Sequence, residues 1–148
     1  MFRGRHQHAI DAKGRLSIPA AYRMELQQRS DQPPILTADD RCLRLYPYPD
    51  WCDIETAIVS QAALLDPEVQ DVARVKISGA VEAPIDNQGR ILVPQYLREH
   101  AHLDRDVTLA GVGRTIELWD ATRFNENLEQ TQLNFRALSR DLAQKLRS

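Results

Sequence analysis

The segment IDAKGRLSIPAAYR at residues 10–23 returns as IDNQGRILVPQYLR at residues 85–98. The offset is 75 residues, and six of the fourteen positions are identical: Ile, Asp, Gly, Arg, Pro and the final Arg. A repeat constrains a fold more than composition does, because each copy is one structural unit that must find its partner surface in the other. The similarity continues downstream. ILTADDRCLRLYPYPDW at 35–51 parallels VTLAGVGRTIELWDATRF at 107–124, with Leu43, Leu45 and Tyr46 answered by Ile116, Leu118 and Trp119 after a two-residue deletion. Modules of about fifty residues are marginal alone, so the two halves are expected to complete one body.

Each copy reads as β-β-α-β-β. Alternating residues lead into Asp-x-x-Gly, and a short β run follows, Leu16-Ser17-Ile18 in one copy and Ile91-Leu92-Val93 in the other. This pattern predicts a hairpin. Asp11 and Asp86 suit the first position of the turn, where a short carboxylate accepts backbone N–H groups, and Gly14 and Gly89 suit the left-handed position after it. Pro19 and Pro94 are expected at the first helical position, ahead of short helices over AAYRMELQQ and QYLREHA. Two further strands turn at Asp39-Asp40 in the first copy and at residues 111–113 in the second.

The expected organisation is a first repeat at 5–51, an acidic helical connector at 52–78, a second repeat at 79–123 and a C-terminal helix at 124–148. The connector is expected to be helical over 50–65 and to restart at Pro67. Asp120 is a candidate N-cap for one long helix, on which Phe124, Leu128, Thr131, Phe135, Leu138 and Leu142 are spaced 4, 3, 4, 3, 4. That stripe can pack on the chain's own body or on a second subunit.

With 43% hydrophobic and 27% charged residues, the chain is globular in composition, not disordered or fibrous. Its longest uncharged run, residues 56–65, is ten residues, about half a bilayer span. The opening MFRGRHQHAID puts charge and imidazole where a signal peptide has an apolar core. A cytoplasmic protein is expected. Cys42 and Cys52 read as ordinary thiols.

Enzyme motifs are poorly represented: there is no GxSxG, no HExxH and no phosphate loop, and Gly111-Val112-Gly113 lacks a third glycine. His6 and His8 share a strand face and can ligate a metal only with other donors, for which no third or fourth ligand stands out. His100 and His102 suit a helix end, where imidazolium opposes the negative end of the dipole. Asp39-Asp40 and Asp104-x-Asp106 suit turns rather than catalysis. No metal, cofactor, small-molecule substrate or membrane association is expected, and the chain reads as a non-enzyme.

The net charge of −2 conceals a dipolar chain. Residues 1–23 hold Arg3, Arg5, Lys13, Arg15 and Arg23 against Asp11 alone, whereas residues 49–71 hold six carboxylates and no Lys or Arg. Lys13 and Arg15 flank Gly14 at a ribbon end. Such an end fits the DNA major groove, where arginine pairs with guanine O6 and N7 and lysine reaches phosphate or base. The alternative is a solvated turn whose Arg is held by the Asp four residues earlier. Recurrence of Asp-x-x-Gly-Arg in matching contexts favours the functional reading.

These residues resemble a known family. MFRGRHQHAIDAKGRLSIPAAYR and DNQGRILVPQYLREHAHLDRDVTLAGVGRTIELW are similar to the bacterial MraZ regulators of the division and cell wall gene cluster, over essentially the whole chain. The resemblance implies a mainly β fold with α, two AbrB-like (SpoVT-AbrB) modules forming a pseudo-symmetric double-split β-barrel, with added helices and a long C-terminal helix. It implies a ring-shaped homo-oligomer that binds double-stranded DNA at repeated short boxes in its own promoter region, as a repressor in the cytoplasm and nucleoid. The motif carries over to Asp11, Gly14 and Arg15, and to Asp86, Gly89 and Arg90. The copies differ: Lys13 is answered by Gln88, and Arg3 and Arg5 by Ser78 and Ala80. The expected DNA-binding residues are therefore Arg15, Lys13, Arg3 and Arg5 in the dominant first copy, and Arg90, Asn87 and Gln88 in the second. A protein-interaction or antitoxin-like module and a metal-dependent hydrolase using the His-x-His pairs are the competing readings.

Overall fold

The computed structural model describes residues 1–148. The first copy folds as β1 (Arg5–Ala9), β2 (Arg15–Ser17), α1 (Ala20–Arg29), β3 (Ile35–Asp39) and β4 (Cys42–Tyr46). Two connector helices follow, α2 (Tyr48–Ala62) and α3 (Pro67–Lys76). The second copy is β5 (Val81–Glu82), β6 (Arg90–Leu92), α4 (Gln95–His100), β7 (Asp106–Gly111) and β8 (Ile116–Asp120), and the chain ends in α5 (Ala121–Leu133) and α6 (Phe135–Arg147).

The closed double-split barrel expected above is not formed. The strands make an open six-stranded sheet, β1-β7-β8-β4-β3-β5, and a separate two-stranded ribbon, β2-β6. Closure needs every strand paired on both sides. Here β1 pairs only with β7, the two-residue β5 pairs only with β3, and the three-residue β2 and β6 pair only with each other. The expected hairpin is also absent as a ladder. The two strands flanking each Asp-x-x-Gly-Arg turn diverge, β1 joining the sheet and β2 crossing to the other copy. The result is two layers around a shared core.

That core draws on both copies. Leu16 and Ile91 on the inner face of the ribbon join Leu36, Leu43, Leu45, Leu109, Ile116 and Leu118 of the sheet in one buried cluster, with Tyr22 and Leu26 of α1 and Leu97 of α4. Burial of each such aliphatic side chain contributes about 2 kcal/mol. The helix starts differ slightly from expectation, since Pro19 and Pro94 occupy the N-cap, with extended backbone (ψ 142° and 152°), one residue ahead of the helix. A preceding strand end runs directly into that conformation.

In the connector, Asp66 caps α3 by accepting from the Glu68 and Val69 amides. Trp51 of α2 packs with Ile35 and Tyr46. Asp50 is buried beside it, accepting from Arg29 at 2.6 Å, with Arg114 Nε 3.0 Å away in ion-pair contact but outside hydrogen-bond geometry. The single long C-terminal helix is likewise corrected: it breaks at Asn134, whose backbone (φ −108°, ψ 7°) leaves the helical region. The break divides the apolar stripe. Phe124 stacks edge-on to Trp119 at 5.9 Å and Leu128 is half-buried, whereas Phe135, Leu138 and Leu142 on α6 are exposed.

Candidate nucleic-acid interface

Each Asp-x-x-Gly-Arg turn is built by its aspartate. In the first, Asp11 Oδ1 accepts from the Lys13 and Arg15 amides at 3.0 and 2.9 Å, while its carbonyl accepts from Gly14 N at 3.0 Å. In the second, Asp86 Oδ1 accepts from the Gln88 and Arg90 amides at 2.8 and 2.9 Å, and its carbonyl from Gly89 N at 3.0 Å. Gly14 (φ 88°) and Gly89 (φ 77°) supply the left-handed residue. The amide of Arg15 is the main reason the Asp11 carboxyl sits below its ordinary pKa, and the amide of Arg90 does the same for Asp86.

The arginine of each motif returns to its aspartate. Arg15 Nε lies 2.7 Å from Asp11 Oδ2, and Arg90 Nε 3.4 Å from Asp86 Oδ2. The tether that a purely structural turn would use is thus present in both copies. It engages only Nε: the terminal guanidinium nitrogens of Arg15 and Arg90 make no hydrogen bond within the chain. Those are the groups that form a bidentate fork.

The ribbon joins the two turns, one at each of its ends. β2 and β6 run antiparallel with Arg15 opposite Leu92 and Ser17 opposite Arg90. Side chains alternate along a strand, so Leu16 and Ile91 face the core while Arg15 and Arg90 share the outer face. They stand two residues apart along the ribbon, about 7 Å. The turns are also stitched crosswise, Val93 N donating to Gly14 O at 2.7 Å and Ile18 N to Gly89 O at 2.9 Å.

Not every residue expected at the interface joins this face. Lys13, Asn87 and Gln88 are exposed on the two turns. Arg5 lies at the far end of β1, opposite Ala110, with its guanidinium 5.6 Å from the Phe124 ring. Six extended residues, about 20 Å, separate it from Asp11. Arg3 is held at the same end, where its carbonyl accepts from Tyr22 Oη and Gly111 N donates to Gly4 O. His100 does not turn back on its own helix, since its Nε2 lies 2.8 Å from Asp39 O at the β3–β4 turn. His102 follows with a left-handed backbone, φ 53°. No group of three or more His, Cys, Asp or Glu is placed to hold a metal ion.

The residues that sequence reasoning left without a role are Arg23 and Arg98, the last identical pair of the repeat. Arg23 of α1 lies against Gly89 of the second turn, and Arg98 of α4 against Gly14 of the first, with its Nε donating to Val93 O at 3.1 Å. Their identity in both copies was the available signal.

The model of the family described as "MraZ protein, putative antitoxin-like" matches residues 1–75 and again 77–146. The first stretch holds the first copy with the connector helices, and the second holds the second copy with most of the C-terminal helices. The chain belongs to the MraZ family. Among its relatives, a protein from Solidesulfovibrio magneticus is 40% identical over 139 residues, covering 93% of this chain and 91% of the relative. One from Thermoanaerobacter sp. is 38% identical over 143 residues, 96% of each chain, and one from Nitrosomonas europaea is 41% identical over 130 residues, 87% of each. All three carry the name "Transcriptional regulator MraZ". MraZ membership therefore extends over both turns, the connector and most of the C-terminal helices.

Proposed function

We propose that this chain is a sequence-specific DNA-binding transcriptional regulator of the division and cell wall gene cluster, a repressor that occupies repeated short boxes in its own promoter region. It is not an enzyme. The observation that carries the reading is the pair of Asp-x-x-Gly-Arg turns at the two ends of one ribbon, each presenting on its outer face an arginine oriented by its own carboxylate with its terminal nitrogens unused. A tethered guanidinium approaches a guanine edge with less side-chain entropy to lose than a free one. The names of the relatives support the regulatory role. Site residues in this reading are Arg15 and Lys13 of the first turn and Arg90, Asn87 and Gln88 of the second, with Arg3 and Arg5 reaching DNA only at a second location, given their place at the far end of β1. The protein acts in the cytoplasm, at the nucleoid.

One ribbon makes few phosphate contacts, so a single protomer binds weakly at physiological salt. A ring-shaped homo-oligomer engages several boxes about one DNA turn apart and gains affinity through effective concentration. The exposed apolar stripe of α6, Phe135, Leu138 and Leu142, supports association with further copies. Titration of DNA carrying one, two and four boxes, identified by footprinting on the chain's own upstream region, tests this: affinity rises steeply with box number, and affinity independent of box number removes the ring. The same α6 stripe favours a second reading, a protein-interaction or antitoxin-like module. Binding to upstream DNA that weakens steeply with salt selects the regulator, because phosphate contacts release counterions.

A further inference from the structure

Arg23 and Arg98 occupy equivalent positions in the two copies, on the helix that follows each turn. The arginine that stands against each turn's glycine comes from the other copy. A Cβ built on Gly89 would collide with the Nη1 and Cζ atoms of Arg23, and one on Gly14 would stand 3.1 Å from Nε and 3.2 Å from Cζ of Arg98. Each glycine therefore does two things: it takes the left-handed backbone, and it leaves room for a guanidinium from the other copy. A cleft lies beside each pair. One, of about 400 Å³, lies between Arg23, Met24 and Gln27 of α1 and Asp86, Asn87 and Gly89 of the second turn. The other, of about 770 Å³, lies between Gln95, Arg98 and Glu99 of α4 and Ala12 of the first turn. Arg98 is pinned by its bond to Val93 O, whereas the guanidinium of Arg23 makes no hydrogen bond or ion pair within the chain.

We infer that Arg23 and Arg98 are crosswise positioning residues: Arg23 holds the turn that carries Arg90, and Arg98 holds the turn that carries Arg15. A guanidinium packed under a glycine backbone fixes the height and tilt of the turn, and with it the direction of the arginine that follows the glycine. The consequence is coupling between copies. A change in α1 is felt at the second turn and a change in α4 at the first, so each turn is set by a helix of the other copy. The consequence for DNA rests on the function proposed above, while the positioning itself does not.

Two measurements separate these. In the absence of DNA, hydrogen exchange is followed at the amides of Gly14, Arg15, Gly89 and Arg90. Arg23→Ala accelerates exchange at Gly89 and Arg90 about tenfold and leaves Gly14 and Arg15 unchanged, and Arg98→Ala does the reverse. Arg23→Gln, which keeps much of the stem, serves if the alanine variant loses its fold, and gives the same pattern. Acceleration only at the turn of the same copy, or at neither turn, overturns the inference. On promoter DNA, Arg23→Ala lowers affinity about fivefold alone, adds nothing to Arg90→Ala, and adds in full to Arg15→Ala. A loss that adds to both, with the salt slope reduced by about one, makes Arg23 a direct phosphate contact and overturns positioning. If the wild-type chain fails to bind that DNA at all, the DNA-binding function falls, and the exchange pattern still decides the positioning.

Discussion

The two Asp-x-x-Gly-Arg turns share a backbone and differ in what surrounds it. In the first, the arginine is tightly tethered (2.7 Å), a lysine stands beside the glycine, and the glycine faces a carbonyl oxygen of the other copy. In the second, the tether is longer (3.4 Å), glutamine replaces lysine, and the glycine faces the tip of a side chain. Duplication preserved the groups that shape the turn and released those that decorate it. The aspartate and glycine are determined by the backbone, and the remaining positions are free to divide the work of recognition.

The sharpest break in the comparison comes from the glycines. A Cβ at Gly14 would meet Val93 O at 2.5 Å, and this oxygen belongs to backbone just beyond β6 that is tied to Gly14 itself by the bond from Val93 N to Gly14 O. At Gly89 the obstacle is the flexible end of Arg23. Both alanine variants incur the left-handed cost of about 1–2 kcal/mol, and Gly14→Ala adds the backbone displacement. Chemical denaturation should show a loss of about 3 kcal/mol or more for Gly14→Ala and about 1.5 kcal/mol for Gly89→Ala. Equal losses would mean that Arg23 is as immovable as the main chain.

Next in size is the unequal contribution to DNA binding. Arg15→Ala should weaken specific binding by about 1–3 kcal/mol, and Arg90→Ala by less, measured on multi-box DNA at fixed salt. An equal loss from Arg90→Ala with none from Arg15→Ala reverses the order of the two turns. Lys13→Gln, which makes the first turn resemble the second, should flatten the slope of log affinity against log salt by about one per protomer engaged, and Gln88→Lys should steepen it by as much. No change of slope in either variant would place both side chains away from phosphate.

The turns, their glycines and the proline-led helices were legible in the sequence because each is set by neighbours within a few residues. The exchange of strands between copies was not. A turn signal followed by a short β run reads identically whether the run folds back or crosses over, and two copies with the same apolar pattern offer equivalent partners, Leu16 opposite Ile91 being as good a pair as any within one copy. The open sheet follows from the same exchange, since β2 and β6 are spent on the ribbon. Periodicity also hid the break at Asn134, because Thr131, Phe135 and Leu138 keep the heptad spacing across it. The identity of Arg23 with Arg98 was visible, but its meaning depends on the crossover that places each under the opposite glycine.

The smallest effect, and the finest test of the two turns, is acid titration. Both aspartates have carboxyls held below their ordinary pKa, chiefly by the amide of the arginine four residues on. A carboxylate whose pKa is depressed on folding stabilises the folded state above its unfolded value, about 4, and that contribution is lost as pH falls through the folded value. Between neutral pH and about 5 both turns therefore remain intact. As pH falls through the depressed folded values, the carboxylates that accept from the amides of Lys13 and Arg15, and of Gln88 and Arg90, are protonated and the arginine tethers are lost with their charge. The Asp11 turn has the shorter tether, so its carboxyl should titrate at the lower pH of the two in a carbon-detected NMR titration. Asp11→Asn should remove the acid transition at Gly14 while leaving that at Gly89. A single transition shared by both turns in that variant would mean that the ribbon, rather than each aspartate, sets the acid response.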